Sequence, residues 1–197
     1  MSNNNSMVQI GLIFFVMVVI SMGIKTFQDA PPLSHALDSL NDMPTPELKL
    51  EHSNGEVMDI NSLKGKVVMV NFWASWCPPC KREMASLERL YQNSGQAFEL
   101  LAVNVGEDRA TVLPFLQGLN PSPHFSILFD YQKEASNAWQ IRNLPTTFIL
   151  DANGKIRYKA VGERQFDHPY IQDIITELSD PDCCNTLTEK NYSDLPR

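Results

Sequence analysis

Residues 67–72 read Val-Val-Met-Val-Asn-Phe, a continuous apolar run rich in β-branched side chains. A strand buried on both faces reads this way, because neither face can be left to water. The run leads into Trp73-Ala74-Ser75-Trp76-Cys77-Pro78-Pro79-Cys80 and then into a helical pattern over residues 78–93. There Met84, Leu87 and Leu90 or Tyr91 recur every three or four positions, with Lys81, Arg82, Glu88 and Arg89 between them. Asn93-Ser94-Gly95 stops the helix. A doubly buried strand feeding a helix through a short turn requires a sheet with both faces covered, so the fold class is α/β.

The rest of the chain continues that alternation. Glu47–His52 and Val57–Ile60 flank Asn54-Gly55, a hairpin signal. Phe98–Val105 reads as a second buried strand, and Asp108–Leu119 as a helix in spite of Pro114. Phe125–Phe129 is a short strand, Lys133–Gln140 a short helix, and Thr146–Leu150 a strand. A turn at residues 151–154 returns Lys155–Val161 antiparallel, and Asp167–Leu178 closes with a helix. The expectation is a partly parallel sheet with an antiparallel edge from the late hairpin, preceded by an N-terminal β-hairpin and carrying a central helical insertion.

Four regions follow. Residues 1–27 form an N-terminal anchor: Met7–Ile24 is uncharged and as long as a short membrane span. A cleaved signal peptide competes, with Ser21-Met22-Gly23 as small residues. The lack of Lys or Arg before the run, and its length, favour the anchor. Residues 28–43 read as a linker, with short helical turns around Ser34–Leu40, and four of the thirteen prolines fall between 28 and 46. Residues 44–180 hold the globular domain, and 181–197 a polar tail. Lys25 alone would place its flank in the cytoplasm. The acids Asp29, Asp38, Asp42 and Glu47 follow it, and the cysteine chemistry puts the domain on the extracytoplasmic side of a single-pass cytoplasmic membrane protein.

A formal charge of −7 leaves no basic stripe to neutralise phosphates, which argues against nucleic acid as a partner. The chemistry points to Cys77 and Cys80. At a helix start, unpaired N–H groups and the dipole favour an anion, and a thiolate is one. Such sites lower a cysteine pKa from about 8.5 into roughly 3.5–7.5. Pro78 and Pro79 fit the first turn, where their missing N–H groups are not needed. Cys77, the outer thiol, should attack a disulfide, and Cys80 should resolve the mixed disulfide. A zinc site would need four ligands. Cys183 and Cys184 are distant, and His35, His52, His124 and His168 are scattered singletons, so no metal is expected. A static bridge across so small a loop would constrain the unfolded chain little.

Val70-Asn71-Phe72-Trp73-Ala74-Ser75-Trp76-Cys77-Pro78-Pro79-Cys80 resembles the active-site segment of the thioredoxin superfamily, and Leu144-Pro145-Thr146-Thr147-Phe148-Ile149-Leu150-Asp151 resembles its second signature. Ala102-Val103-Asn104-Val105-Gly106-Glu107 and the helix after it resemble the TlpA/ResA/CcmG group of membrane-tethered thiol-disulfide oxidoreductases. The resemblance spans residues 44–180. It implies a thioredoxin-like fold, no cofactor beyond the Cys77–Cys80 disulfide, and a cis peptide at Pro145 that turns the Leu144 backbone toward a client peptide. It also implies a disulfide-bearing client (apocytochrome c for several of the group) and a membrane thiol protein as electron donor.

Asn71 stands where thioredoxins proper carry a titrating Asp. Glu83, one helical step past Cys80, is the substitute candidate, and the group has a glutamate there. A half-buried carboxylate beside two thiols would have a raised pKa. The plainer reading of Glu83 is a first-turn acid complementing the helix dipole. Trp76 is expected to shield Cys77 and touch substrate, with Pro78 and Pro79, while Trp73 belongs to the core. Cys183 and Cys184 are either tail thiols or a secondary redox relay. Reduction of clients is the expected direction. A disulfide-forming oxidase or isomerase, or a thioredoxin-like binding module without turnover, are the alternatives.

Overall fold

A computed structural model describes residues 37–95 and 97–180. The expected anchor, most of the linker, and the tail with Cys183 and Cys184 lie outside the described residues. Among the described residues no helix is long and apolar enough to cross a membrane.

The strands are β1 Asp38–Met43, β2 Lys49–His52, β3 Val57–Asp59, β4 Val67–Trp73, β5 Phe98–Val105, β6 Ser126–Asp130, β7 Thr146–Leu150 and β8 Ile156–Val161. They form one sheet in the order β1-β8-β7-β4-β5-β6-β2-β3. The helices are α1 Pro78–Asn93, α2 Arg109–Gln117, α3 Glu134–Ala138 and α4 Pro169–Leu178. β4, β5 and β6 run parallel, while β7, β8 and β2 join antiparallel. The mixed sheet has the thioredoxin-like α/β arrangement.

β4 is the central strand, and all seven of its residues are buried. Its side chains alternate. Val67, Met69 and Trp73 join Met84, Leu87 and Leu90 of α1 and Ile171 and Ile174 of α4 on one face. Val68, Val70 and Phe72 join Leu101, Trp139 and Phe148 on the other. Phe72, Trp139 and Phe148 pack with ring centroids 5.1–6.2 Å apart. Burying an aromatic ring of this kind contributes about 2–3 kcal/mol in area terms.

The structure departs from the sequence reading in the linker. Residues 38–43, expected there, form the edge strand β1, with Asp38 opposite Lys159 and Met43 opposite Ile156. Asp-Ser-Leu-Asn-Asp-Met has little strand propensity of its own, so the free edge of β8 supplies the pairing. The hairpin around Asn54-Gly55 forms as expected, and Gly55 takes φ +91°. Pro114 sits inside α2, which stays one helix of nine residues capped by Asp108.

Candidate active site

Cys77 is the N-cap residue of α1. Its backbone is extended, at φ −93° and ψ 105°, and its Sγ accepts the N–H of Cys80 at 3.3 Å. The cap is therefore a sulfur in the place usually taken by an oxygen. Pro78 and Pro79 fill the first two helical positions. Cys77 and Cys80 are joined as a disulfide, with Cα atoms 5.3 Å apart. Cys77 is 3% exposed and Cys80 fully buried, so what little of the pair reaches the surface belongs to the outer residue.

Cis-Pro145 arrives beside this turn by strand register. Thr146 pairs with Phe72, so Pro145 falls level with Trp73 at the end of β4 that leads to Cys77. The Leu144–Pro145 peptide is cis, and the Pro145 carbonyl accepts the N–H of Gly162 at 2.8 Å. Leu144 is half-buried and packs against both faces of the core.

Trp73 is fully buried and stacks on Phe115 at 5.7 Å. Trp76 is 68% exposed. Two thirds of the indole's surface lies in water, next in sequence to Cys77, as an apolar surface open to a partner. Pro78 is exposed and Pro79 half-buried beside it.

Glu83 is more deeply placed than the sequence reading had it. It is fully buried in the second turn of α1, and the first turn of that helix holds no acid. The dipole explanation therefore does not apply. Its Oε1 accepts from Asn71 Nδ2 at 2.8 Å and its Oε2 from the N–H of Arg164 at 3.2 Å. Asn71 Nδ2 also donates to Thr147 Oγ1 at 2.9 Å, which fixes the amide across β4 and β7. Burial pushes the Glu83 carboxyl up to about 8, against the two hydrogen bonds, which favour the charged form. A carboxylic acid with this affinity for its proton can both take and return one near neutrality.

A second carboxylate supports the loop before Cys77. Glu107 Oε2 accepts from the Ser75 N–H at 2.7 Å and from Asn104 Nδ2 at 2.7 Å. Its Oε1 accepts from the Ser75 hydroxyl. Sequence reasoning gave Glu107 no role, although its segment carried part of the family likeness; the missing signal was Ser75, 32 positions away. Among the described residues no cluster of three or more His, Cys, Asp or Glu could hold a metal ion. The arrangement is suited to thiol-disulfide exchange: a capped outer sulfur, a buried inner sulfur and a protonatable group on the same helix.

Residues 40–175 match the model of the family described as Redoxin. The chain belongs to the Redoxin family. This redoxin is 36% identical over 112 residues to the thiol-disulfide oxidoreductase ResA of Bacillus subtilis, covering 56% of the chain and 62% of ResA. It is also 36% identical over 125 residues to the thiol:disulfide interchange protein DsbE of Allochromatium vinosum, covering 62% of the chain and 67% of DsbE. A solved DsbE-type structure from Chlorobium tepidum superposes with TM-score 0.59 at 27% identity, over 73% of the chain and 99% of that structure. The chain thus spans less than two thirds of the length of the ResA relative.

Proposed function

We propose that this redoxin is an extracytoplasmic thiol-disulfide oxidoreductase that reduces disulfides in client proteins. The observation that carries the reading is the sulfur of Cys77 at the helix N-cap, accepting the Cys80 N–H. That position holds negative charge on the outer sulfur once the pair is reduced. The names of the ResA and DsbE relatives agree with it.

In the reduced pair the Cys77 thiolate attacks one sulfur of the client disulfide. A Cys77–client disulfide forms, and the client's other sulfur leaves as a thiolate and takes up a proton. Cys80 then loses its proton to the ionised form of Glu83, and its thiolate attacks Cys77. The Cys77–Cys80 disulfide forms and the second client thiol is released. The client gains two electrons and two protons: the cysteine pair gives both electrons and the Cys80 proton, and solvent gives the second proton. The cysteines return to the dithiol by the same exchange with a membrane thiol protein.

The proposal includes a membrane anchor in residues 7–24, a single-pass position with the domain outside the cytoplasm, and apocytochrome c as a client. The uncharged run at 7–24 supports the anchor, and the resemblance of residues 102–107 to the membrane-tethered TlpA/ResA/CcmG group supports the side and the client. The test is capture. Cys80→Ser in the full chain should accumulate a mixed disulfide through Cys77, identifiable by mass spectrometry, and Cys77→Ser should abolish it. A Cys80→Ser protein that collects no partner and exchanges with no dithiol would sink the reading. Equilibration with glutathione then assigns direction: a potential near about −270 mV fits a reductant, and one near about −120 mV a disulfide-forming oxidase.

A further inference from the structure

The turn between β8 and α4, residues 162–168, lies along α1 rather than projecting into solvent. Four residues spread over two turns of the helix hold it. Arg82 Nη2 pairs with Glu163 at 2.6 Å, and Arg89 Nε with Asp167 at 2.7 Å. Between these outer ties, the Arg164 N–H donates to Glu83 Oε2. The Ser86 hydroxyl donates to the Glu83 carbonyl at 2.8 Å, with Arg164 O at 3.4 Å, and accepts the Phe166 N–H at 3.2 Å. Ser86 is 1% exposed, and Phe166 is fully buried in the core on that face. Positions 82, 86 and 89 share one stripe of the helix, with 83 beside it.

The two ion pairs are exposed and individually weak. Ser86 is different. One hydroxyl serves as donor and acceptor in the interior, and without it the Phe166 N–H loses its partner. We propose that Ser86 is a positioning residue for the redox reaction: it fastens the 162–168 turn over Glu83 and keeps water from the carboxyl group that serves Cys80. This rests on the assignment of Glu83 in the proposed exchange. The same turn begins at Gly162, whose N–H is bonded to Pro145, so the cover on the proton acceptor and the cis-proline wall of the site are one piece of backbone.

The polar and charged groups facing Glu83 are known. They are Asn71 from β4, and the Arg164 N–H, the Arg164 guanidinium and the Glu163 carboxylate from the turn. On its own helix the Cys77–Cys80 disulfide does not titrate. Burial outweighs the hydrogen bonds in setting where Glu83 ionises. Loosening the turn therefore makes ionisation easier even though it weakens the Arg164 hydrogen bond.

The test follows the protonated-carboxyl infrared band in the oxidised full-length chain, held in mild detergent and titrated with base. The band belonging to Glu83 is the one that Glu83→Gln removes. Ser86→Ala should move its midpoint down by about one pH unit, a tenfold easier ionisation. Asp167→Asn, which releases only the outer tie to Arg89, should move it the same way by less, and it decides the matter if Ser86→Ala does not fold. A midpoint unchanged in the folded variants overturns the proposal, as does a wild-type band titrating like an ordinary glutamate. The readout needs no exchange activity. A chain that shows the expected shifts but exchanges with no dithiol would refute the redox function and leave the cover intact.

Discussion

Glu83 carries the largest physical tension at a single residue: a carboxyl group where water cannot reach it, one helical step from a buried sulfur. Its proton is bound more tightly in the folded chain, near pH 8, than in the unfolded one, near 4.5. The folded state therefore holds the extra proton between those values, and stability falls as pH rises through that window. The loss approaches 4–5 kcal/mol on the order of magnitude set by about 1.36 kcal/mol per pKa unit. Urea unfolding of wild type at pH 5 and pH 9 should show this decline, and Glu83→Gln should flatten it. If the two proteins lose stability in parallel, the burial argument is wrong. Trp76 is the opposite case. An exposed indole supports little structure, so Trp76→Ala should change unfolding by less than about 0.5 kcal/mol. It should slow exchange with a protein client while leaving exchange with a small dithiol unchanged, which stopped-flow fluorescence would resolve.

At the scale of elements, the turn joining β7 to β8 depends on one acid. Asp151 is 1% exposed and accepts from the N–H groups of Asn153 and Lys155 and from Arg157 Nε at 2.6 Å. The Arg157 side chain is itself only 14% exposed. Asp151→Ala should cost about 3–5 kcal/mol, because it removes the acceptor of two turn N–H groups and one ionic partner of a nearly buried guanidinium. Denaturant midpoints measured beside Asp108→Ala, the loss of an exposed helix cap worth about 1 kcal/mol, would show the contrast. Such local units were legible in the sequence. The β4–CPPC–α1 unit and the Asn54-Gly55 hairpin were readable because their signals lie within a few residues. β1 was not, since its partner strand comes more than a hundred residues later and its own residues are mostly polar. Glu83 was readable as a position in a helix, but its depth comes from β4 and the 162–168 turn. Ser86 and Glu107 gave no signal, because the partners that give them meaning, Phe166 and Ser75, lie far away in the chain.

Across the whole molecule, the loop bearing the thiols is tied to the next two parallel strands. Ser75 is held by Glu107, and the preceding residue, Gly106, donates its N–H to the Asp130 carbonyl at the end of β6. Glu107→Ala removes the acceptor of all three donors, the Ser75 N–H among them. The active-site turn should then exchange its amide protons faster at Ser75 and Trp76, by about tenfold if one bond near 1.4 kcal/mol is lost, while β7 is unaffected. Uniform protection along both segments would show that Glu107 does not hold the turn.

Gly106 has φ +73°, and a methyl placed on it would meet Lys133 Cε at 2.4 Å. Two separate restrictions thus act on one position, and only one of them is local. The end of the Lys133 side chain can swing aside, so the backbone angle is the stricter demand: randomised libraries should keep glycine at 106, with asparagine next, whatever the length of residue 133.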